Sequence, residues 1–525
     1  MADPLPVVVV GAGPTGVTAA LLLAAYQVPS VVLDRWPAPY PRPRAVHLDD
    51  EVCRILHRVG VHEEFAAVSR PAEGLRLLGP DHRVLAQFSR RTAAGAHGHP
   101  QANMFDQPTL EAILRRAADR EPLVTLCGGV EVTAVSTGDD GLVTVALTDR
   151  GSGRRRALRA RYVLGCDGAN STVRAGIGAG MRELGFAQRW LVVDVDTDAE
   201  IDAWAGVHQV CDPRRAATYL RVGARRHRWE FRLLPGETAA VMSAPATLHA
   251  LLRPWTADLP FAALTVLRCA EYTFRAQVAD RWRVGPVFLL GDAAHLTPPF
   301  IGQGLGSGLR DAANLSWKLA AVLTGGLPEA ALGSYQAERG PHVTALIRLA
   351  VGVGRAMTQG GRVGDAARRV VVPRLAHVPG LRARVLDSTT PPLRPSALRR
   401  RRRWPWGRAG RLCPNPVLAD GRSLDDVLGS CFAVLTVGPV DRWAVAEAGR
   451  RRVVLVRVAP SSTLGRWLRR GGARAALVRP DRTVLRTGGD PAALVGLAPI
   501  LPRAAPPGAP TRRAGRGEGG PDQVG

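Results

Sequence analysis

The strongest constraint on the fold lies near the start of the chain, where an apolar run passes directly into a glycine-rich turn and then a helical pattern. Residues 7–10 are continuously apolar, which is typical of a strand buried on both faces. The turn GAGPTG follows at 11–16, and residues 17–25 have the apolar spacing of a helix. Glycines at these places permit a tight turn, close approach of a pyrophosphate and helix packing. The pattern predicts a Rossmann-like α/β sheet that binds a dinucleotide.

A second strand pattern, at residues 30–33, ends at Asp34. An acid at this distance after a glycine turn accepts hydrogen bonds from the ribose hydroxyls of a dinucleotide. The candidate residues of this part of the site are Gly11, Gly13, Pro14, Thr15, Gly16, Asp34 and Arg35. These residues alone leave open whether the dinucleotide is NAD or FAD.

The stretch 287–319 contains an apolar strand, an acidic turn, a Pro/Gly loop and a helix. Asp292 can accept hydrogen bonds from a sugar diol, and the bare backbone of the loop can lie against a flat ring. The loop opens a helix, whose free N–H groups and positive dipole end favour an anion such as a reduced flavin ring. The candidates here are Gly291, Asp292, Pro299, Gly302, Gln303 and Gly304.

Four further candidates lie between these segments. Arg44 is in a proline-rich loop, and Gln107 begins a predicted helix at 107–120. Asp167 and Gly168 follow a strand-like run at 162–164. Each also has an ordinary interpretation, namely an exposed arginine, a hydrated helix N-terminus and a simple Asx turn. The repeated acid at a strand end favours a cofactor contact for Asp167.

Three segments together resemble the signatures of FAD-dependent aromatic hydroxylases of the p-hydroxybenzoate hydroxylase type, the class A flavin monooxygenases. They are GAGPTG at 11–16, CDGANSTVR at 166–174 and GDAAHLTPPFIGQGLGSGLRDAANLSWKL at 291–319. The resemblance extends to about residue 400. It implies FAD with its adenosine at 11–34, its ribityl chain near Arg44, Gln107 and Asp292, and its isoalloxazine beside Pro299 and 302–304. Many members of the family have Glu where this chain has Asp34.

The resemblance also implies that residues 71–105 and 182–283 form the main part of a mixed β-sheet substrate domain over the active site. The segment 208–237 is similar to the 3-(3-hydroxyphenyl)propionate hydroxylase branch, although Ala216 stands where that branch often has Pro. In the family, the Asp167–Gly168 motif is associated with both FAD and NAD(P)H.

The expected fold class is therefore α/β, with a Rossmann-like FAD-binding domain, an interleaved substrate sheet and a C-terminal thioredoxin-like domain. The expected boundaries are 1–390 for the monooxygenase domain, 391–410 for a Pro/Arg-rich linker, 411–502 for the thioredoxin-like domain and 503–525 for a disordered tail. The segment 476–485 carries the thioredoxin-like resemblance. Because it lacks CxxC, we expect a structural role or dimer contacts, and no need for this domain in flavin reduction.

The implied activity is an NAD(P)H-dependent monooxygenase that hydroxylates a phenol ortho to its hydroxyl through a flavin C4a-hydroperoxide. We expect 3-(3-hydroxyphenyl)propionate or 3-hydroxycinnamate, in aromatic catabolism, as the substrate. A polycyclic aromatic polyketide of secondary metabolism is the alternative, and a non-oxygenating flavoprotein reductase is less favoured. The cofactor performs the oxygen chemistry, so no catalytic side chain is predicted. FAD is expected to be noncovalent, and NADH or NADPH remains open.

The charge and the apolar runs of the chain indicate which partners to expect. The net charge of +25 comes almost wholly from dispersed arginines, with Lys318 the sole lysine, so nucleic acid is not expected as a partner. The apolar stretch that starts at Val17 is broken by Tyr26 and Pro29, too early for a membrane span. The expected partners are a small phenolic substrate and O2, with a possible homodimer.

The cysteines and histidines indicate whether the chain has disulfides or a metal site, and in which cellular compartment it functions. The seven cysteines are widely spaced without CxxC, which predicts neither a disulfide framework nor a zinc site and favours the cytoplasm. His97 and His99 form an HxH without a nearby carboxylate in sequence, so no metal is expected.

Overall fold

The computed structural model describes residues 5–40, 45–359, 390–398 and 407–502. Within these ranges the chain forms four sheets of eight, eight, four and three strands, with helices packed between them. We name them the first sheet, the second sheet, the C-terminal sheet and the small sheet, in that order. The mixed α/β class predicted from the sequence is confirmed.

The first sheet has a parallel core, in which Leu5–Val10 lies between Ser30–Asp34 and Arg155–Gly165. Val287–Leu289 pairs in parallel with Arg155–Gly165 on its other side. These four strands therefore end at one edge of the sheet, where an open α/β sheet binds its ligand. The remaining strands are Val124–Gly128, Val130–Thr137, Val143–Asp149 and Arg283–Val284. Val130–Thr137 and Val143–Asp149 form an antiparallel hairpin.

The second sheet is built on two long antiparallel strands, Met181–Asp196 and Thr265–Ala279. Its other strands are Gly74–Leu78, Val84–Ser89, Val207–Val210, Ala217–Arg221, Arg226–Arg232 and His295–Leu296. One face packs on an apolar cluster that includes Leu191, Trp229 and Trp255. Because side chains alternate along a strand, the opposite face is available for other contacts. Most of this sheet lies within the ranges predicted for the substrate domain.

The small sheet joins His47–Asp49, Arg70–Pro71 and Ala102–Met104. The helices before residue 360 are Pro14–Ala24, Asp50–Arg58, His62–Val68, Gln107–Asp119, Thr172–Gly176, Ala239–Met242, Pro245–Thr256, Gly304–Leu323 and Ser334–Thr358. Short 3-10 turns occur at Phe261–Ala263, Gly291–Ala293, Pro299–Ile301 and Glu329–Gly333. No helix in the described ranges is long and apolar enough to cross a membrane.

The helix Gly304–Leu323 lies at the centre of the molecule and is buried almost throughout. It packs against Pro14–Ala24, an apolar helix that is itself buried on nearly all sides. On it, Asp311 accepts hydrogen bonds from the Gly291 backbone N–H, at 3.1 Å, and from Arg339, at 2.7 Å. This carboxylate fixes the acidic turn to the central helix.

The C-terminal sheet contains Ala433–Thr436, Val454–Arg457, Ala475–Val478 and Val484–Gly488. The order is mixed, because Ala433–Thr436 pairs in parallel with Val454–Arg457 and antiparallel with Ala475–Val478. Its helices are Leu424–Leu428, Arg442–Arg451, Thr463–Arg470 and Pro491–Val495.

Buried ion pairs join this C-terminal unit to the rest of the protein. Asp425 accepts hydrogen bonds from the guanidinium groups of Arg54, at 2.7 and 2.8 Å, and Arg482, at 2.7 Å. Although burial opposes ionisation, these two arginines hold the pKa of Asp425 well below its usual range. Arg479 likewise meets Glu338 at 2.9 Å, and Glu338 also binds Lys318. The C-terminal unit is therefore part of one packed body.

We expect Asp425→Asn to lower the free energy of unfolding by about 3–5 kcal/mol, because it leaves two buried guanidinium groups without their counter-charge. Chemical denaturation of the variant and the parent measures this difference. Asp420→Asn is the matched control, since Asp420 is exposed and its ion pair within the described residues is with the neighbouring Arg422 on the surface. Equal stability of the Asp425 and Asp420 variants would contradict this description of the contact.

Candidate active site

A cavity of about 600 Å³ lies between the strand-end edge of the first sheet and the polar face of the second sheet. The predicted residues that line it are Gly13, Pro14, Thr15, Gln107, Gly168, Gly291, Asp292, Pro299, Gly302, Gln303 and Gly304. Segments far apart in the sequence thus meet at one space. Gly11, Gly16, Asp34, Arg35 and Asp167 lie outside its lining, and Arg44 lies outside the described residues.

The three glycines of the first turn have different surroundings. Gly11 has φ +103°, and a Cβ there would lie 2.4 Å from the Cys166 carbonyl oxygen. At Gly16 a Cβ would lie 2.0 Å from the Gly11 carbonyl oxygen. Both glycines are therefore required by the packing of the protein itself. A Cβ at Gly13, in contrast, would meet nothing within 4 Å, so the bare backbone there is open to a ligand in the cavity.

Two helices begin at the cavity without a side-chain cap, and their N-cap residues are Gly13 and Gln303. The first N–H groups of a helix have no partner within the helix, and together with the dipole they favour an anion. The Gln303 side chain is not available as a cap, because its amide nitrogen donates to Asp49 and its oxygen accepts from Arg310. The two helix starts can thus receive two anionic groups of one ligand.

The two predicted strand-end acids, Asp34 and Asp167, accept hydrogen bonds from nearby residues of the protein in this structure. The Asp34 carboxylate accepts from the N–H groups of Ala12, at 2.6 Å, and Trp36, at 2.7 Å. Asp167 accepts from the Ser171 hydroxyl, at 2.5 Å, and from the Val173 N–H, at 3.1 Å. Their cofactor contacts remain predictions, and these bonds show that both carboxylates also fix the turns that border the cavity. The Arg35 side chain is exposed.

The turn Pro299–Ile301 lies in the lining of the cavity. Gly302 ends it in the left-handed region, with φ +63°, which a residue with a Cβ rarely adopts. On the second-sheet side, the Gln209 amide nitrogen donates to the Phe300 carbonyl oxygen at 2.9 Å. This bond ties the turn directly to the second sheet.

Gln107 positions a neighbouring loop. Its oxygen accepts from the Ala45 N–H at 2.7 Å, and its nitrogen donates to Glu111 at 2.7 Å. Asp292 follows Gly291, whose N–H is held by Asp311, so its place at the cavity is set by the central helix. These contacts fix the Gln107 side chain and the backbone next to Asp292 at the ligand space.

His47 and Arg90 are lining residues that the sequence reasoning missed. His47 Nδ1 is 3.3 Å from the Gly302 carbonyl oxygen, and its Nε2 is 3.1 Å from Arg90. Burial, together with the Arg90 charge, lowers the pKa of His47 to about 4. The imidazole is therefore neutral at pH 7. No sequence signal beyond its place after the proline-rich loop marked His47.

The polar face of the second sheet was also missed. Its lining residues include Gln209, Thr218, Arg228, Glu230, Arg268 and Tyr272. A signal was present in the segment 226–232, RHRWEFR, where charged side chains alternate with His, Trp and Phe. With a strand period of two, this alternation predicts one apolar and one charged face.

The described residues contain no group of three or more His, Cys, Asp or Glu side chains suited to hold a metal ion. His97 does have a carboxylate neighbour, because its Nδ1 lies 3.1 Å from Asp50. This pair alone does not form a metal site.

The geometry fits FAD. The space beside Gly13 and the uncapped start of Pro14–Ala24 suit a diphosphate, and the bare turn from Pro299 to Gly304 suits a flat ring. One continuous cavity joins the two regions. An extended dinucleotide that carries a ring system at one end matches this arrangement.

Comparisons with known proteins agree with this geometry. Residues 4–350 match the family described as FAD binding domain. A relative in Rhodococcus jostii, named probable NADH-specific resorcinol 4-hydroxylase, is 33% identical, with 95% of each chain covered. A Burkholderia cenocepacia relative named 3-(3-hydroxy-phenyl)propionate/3-hydroxycinnamic acid hydroxylase is 32% identical, with 91% of this chain and 93% of the relative covered.

Among solved structures, aklavinone-11 hydroxylase in complex with FAD and aklavinone has a TM-score of 0.79 at 25% identity, covering 96% of this chain and 100% of that chain. The chain therefore belongs to the FAD binding domain family, and the resemblance read from its sequence is confirmed. It is a flavin-dependent aromatic monooxygenase that uses FAD and NAD(P)H to hydroxylate a phenolic ring.

We expect Gly13→Ala to weaken FAD binding by about tenfold or more, because the new methyl group occupies the space we assign to the diphosphate. Titration of the apoprotein with FAD measures the Kd. Gly333→Ala is the control, since Gly333 is also an N-cap where a Cβ would meet nothing. Thermal unfolding of the apoproteins should be unchanged in both variants. An unchanged FAD affinity in Gly13→Ala would place the diphosphate elsewhere.

Proposed function

We propose that this monooxygenase inserts one oxygen atom of O2 ortho to the hydroxyl of a small phenol, giving a catechol-type product. The observation that supports this most is the cavity, in which the flat-ring region at Pro299–Ile301 opens directly onto the polar face of the second sheet. A phenol bound on that face would lie against the ring of the cofactor. When bound, FAD supplies the redox and oxygen chemistry, with NADH or NADPH as the electron donor.

The protein's own part is to bind, orient and exclude water. The turn Pro299–Ile301 is fixed from one side by Gln209 and from the other by His47, through the Gly302 carbonyl. Leu290, Leu346 and Phe300 add apolar walls to the same cavity. A dry and rigid space limits the unproductive loss of activated oxygen to water, which would release H2O2.

We assign Gly11, Gly13, Pro14, Thr15, Gly16, Asp34 and Arg35 to the adenosine and diphosphate part of FAD. Arg44, Gln107, Gly291 and Asp292 are assigned to the ribityl chain, and Pro299, Gly302, Gln303 and Gly304 to the isoalloxazine. Asp167 and Gly168 border the cofactor at the neighbouring strand end. For the residues that line the cavity, this assignment rests on position. For Arg44, it rests on the family resemblance alone. For the assigned residues outside the lining, it rests on the sequence motifs and the resemblance; these are Gly11, Gly16, Asp34, Arg35 and Asp167.

Three substrate classes are candidates. The Burkholderia relative supports 3-(3-hydroxyphenyl)propionate or 3-hydroxycinnamate, with a role in aromatic catabolism. The Rhodococcus relative supports resorcinol, and its name also supports NADH as the donor. The aklavinone hydroxylase supports the polycyclic alternative in secondary metabolism.

We further propose a division into a monooxygenase domain at 1–390, a linker at 391–410 and a thioredoxin-like domain at 411–502, in a cytoplasmic protein. The mixed sheet of the last unit, with one parallel and two antiparallel pairings, supports the thioredoxin-like assignment. The residues 503–525, which we expect to be a disordered tail, lie outside the described residues. A homodimer is a further hypothesis, and the molecular mass of the FAD-loaded protein in solution tests it.

The function is tested by NAD(P)H oxidation in the presence of 3-(3-hydroxyphenyl)propionate, 3-hydroxycinnamate, resorcinol and a polycyclic phenol. We expect at least one of them to stimulate oxidation and to give an ortho-hydroxylated product, with H2O2 as a minor product. The matched control is 3-phenylpropionate, which lacks the activating hydroxyl and should give no hydroxylated product. If every phenol yielded only H2O2, the proposed reaction would be wrong for this set of substrates.

A further inference from the structure

The cavity face of the second sheet carries a row of polar side chains that crosses three strands. In the register, Gln209 lies opposite Thr218, and Thr218 lies opposite Glu230. All three line the cavity. Adjacent strands are about 4.8 Å apart, so the row spans about 10 Å from Gln209 to Glu230, which is enough for one substituted aromatic ring.

Both ends of the row present hydrogen-bond acceptors without a partner among the described residues. The Gln209 amide nitrogen is used by the Phe300 carbonyl, whereas its buried oxygen has no partner. Glu230 is 8% exposed, and we find no hydrogen bond to its carboxylate within the described ranges. An unpaired buried acceptor such as the Gln209 oxygen is costly, so its place in a ligand cavity indicates a donor on the ligand.

Among the described residues, the charges next to Glu230 are balanced, although the buried Arg268 Nε and Nη2 groups have no hydrogen-bond partner. Arg228 binds Asp194 with two hydrogen bonds, at 2.6 and 3.0 Å, and Arg268 meets the same carboxylate at 2.9 Å. With Glu230 ionised, the two arginines face two carboxylates. Burial raises the pKa of Glu230, while Arg228 opposes that rise. A substrate carboxylate placed beside Glu230 would add a negative charge that no further cation of this group offsets.

We propose that Gln209 and Glu230 each accept a hydrogen bond from a substrate hydroxyl, and that Glu230 is the specificity-determining residue, favouring a neutral phenol with a second hydroxyl over one with a carboxylate. This inference rests on the proposed function and chooses among its substrate classes. Each hydroxyl donates one hydrogen bond and carries no net charge, so two hydroxyls match the two acceptors on this face.

The test uses oxidised, FAD-loaded protein and measures Kd from the change in flavin absorbance on adding resorcinol or phenol. In the parent protein, resorcinol should bind about tenfold or more tightly than phenol, since a hydrogen bond to a charged acceptor is among the strong ones. In Glu230→Gln this preference should fall several-fold, with the Kd of phenol unchanged. Glu271→Gln is the control, because Glu271 lies on the same sheet but is exposed and paired with Arg189.

The same Kd measurement tests whether the site disfavours a substrate carboxylate. 3-(3-Hydroxyphenyl)propionate should bind the parent protein more weakly than resorcinol, and Glu230→Gln should tighten it. A resorcinol preference that is unchanged in Glu230→Gln, or weaker binding of the acid in that variant, would overturn the proposal.

A measurement on the parent protein alone covers the case in which Glu230→Gln loses FAD. 3-Methoxyphenol keeps the second oxygen but has no proton to donate there, so it should bind about tenfold or more weakly than resorcinol. Equal affinity of the two ligands would show that no acceptor subsite exists. Absence of any hydroxylated phenol would instead refute the proposed function, whatever these Kd values are.

Discussion

The structure depends on backbone N–H groups that have no partner inside the protein's own helices. Two helices, Pro14–Ala24 and Gly304–Leu323, begin at one cavity, and neither has a side-chain cap. The first N–H groups of these helices have no partner within the helix, so a ligand that accepts from them stabilises this arrangement. The parallel strands bring the helix starts together, and the Asp311 carboxylate and the Asp34 carboxylate hold the intervening turns. The cofactor site therefore follows from the backbone topology, with side chains that mostly fix the loops.

The substrate part of the cavity depends on the two different faces of the second sheet. The second sheet separates an apolar face, with Trp229 and Phe231 in the core, from a polar face that includes Arg228 and Glu230. Burying these charges requires compensation, which Asp194 provides for the two neighbouring arginines. Among the described residues of that face, the fully buried groups without a hydrogen-bond partner are the Gln209 oxygen, which is an acceptor, and the Arg268 Nε and Nη2 groups, which are donors. We therefore infer that the polar face of the second sheet selects the substrate. FAD, on the other side of Pro299–Ile301, supplies the redox and oxygen chemistry.

Sequence reasoning predicted the local parts of this arrangement and missed the non-local ones. The strand, turn and helix at 5–24 and the loop at 291–304 were predictable because adjacent residues determine them. Asp34 and Asp167 were predicted as ligand residues, but their bonds to Ala12 and Ser171 depend on a turn geometry that a strand-end acid pattern does not specify. The row from Gln209 to Glu230 depends on strand register, and the contact between Arg54 and Asp425 joins residues 371 positions apart. Neither can be derived from spacing along one chain.

We infer that FAD and the phenol share one cavity, on opposite sides of the turn Pro299–Ile301. A crystal structure of the FAD-loaded protein with resorcinol would show both ligands at once. We expect the diphosphate beside Gly13, the isoalloxazine against the stretch from Pro299 to Gly304, and the phenol on the other side, with a hydroxyl within hydrogen-bond distance of Glu230. A phenol bound away from the second sheet, or a flavin ring remote from Pro299, would contradict it.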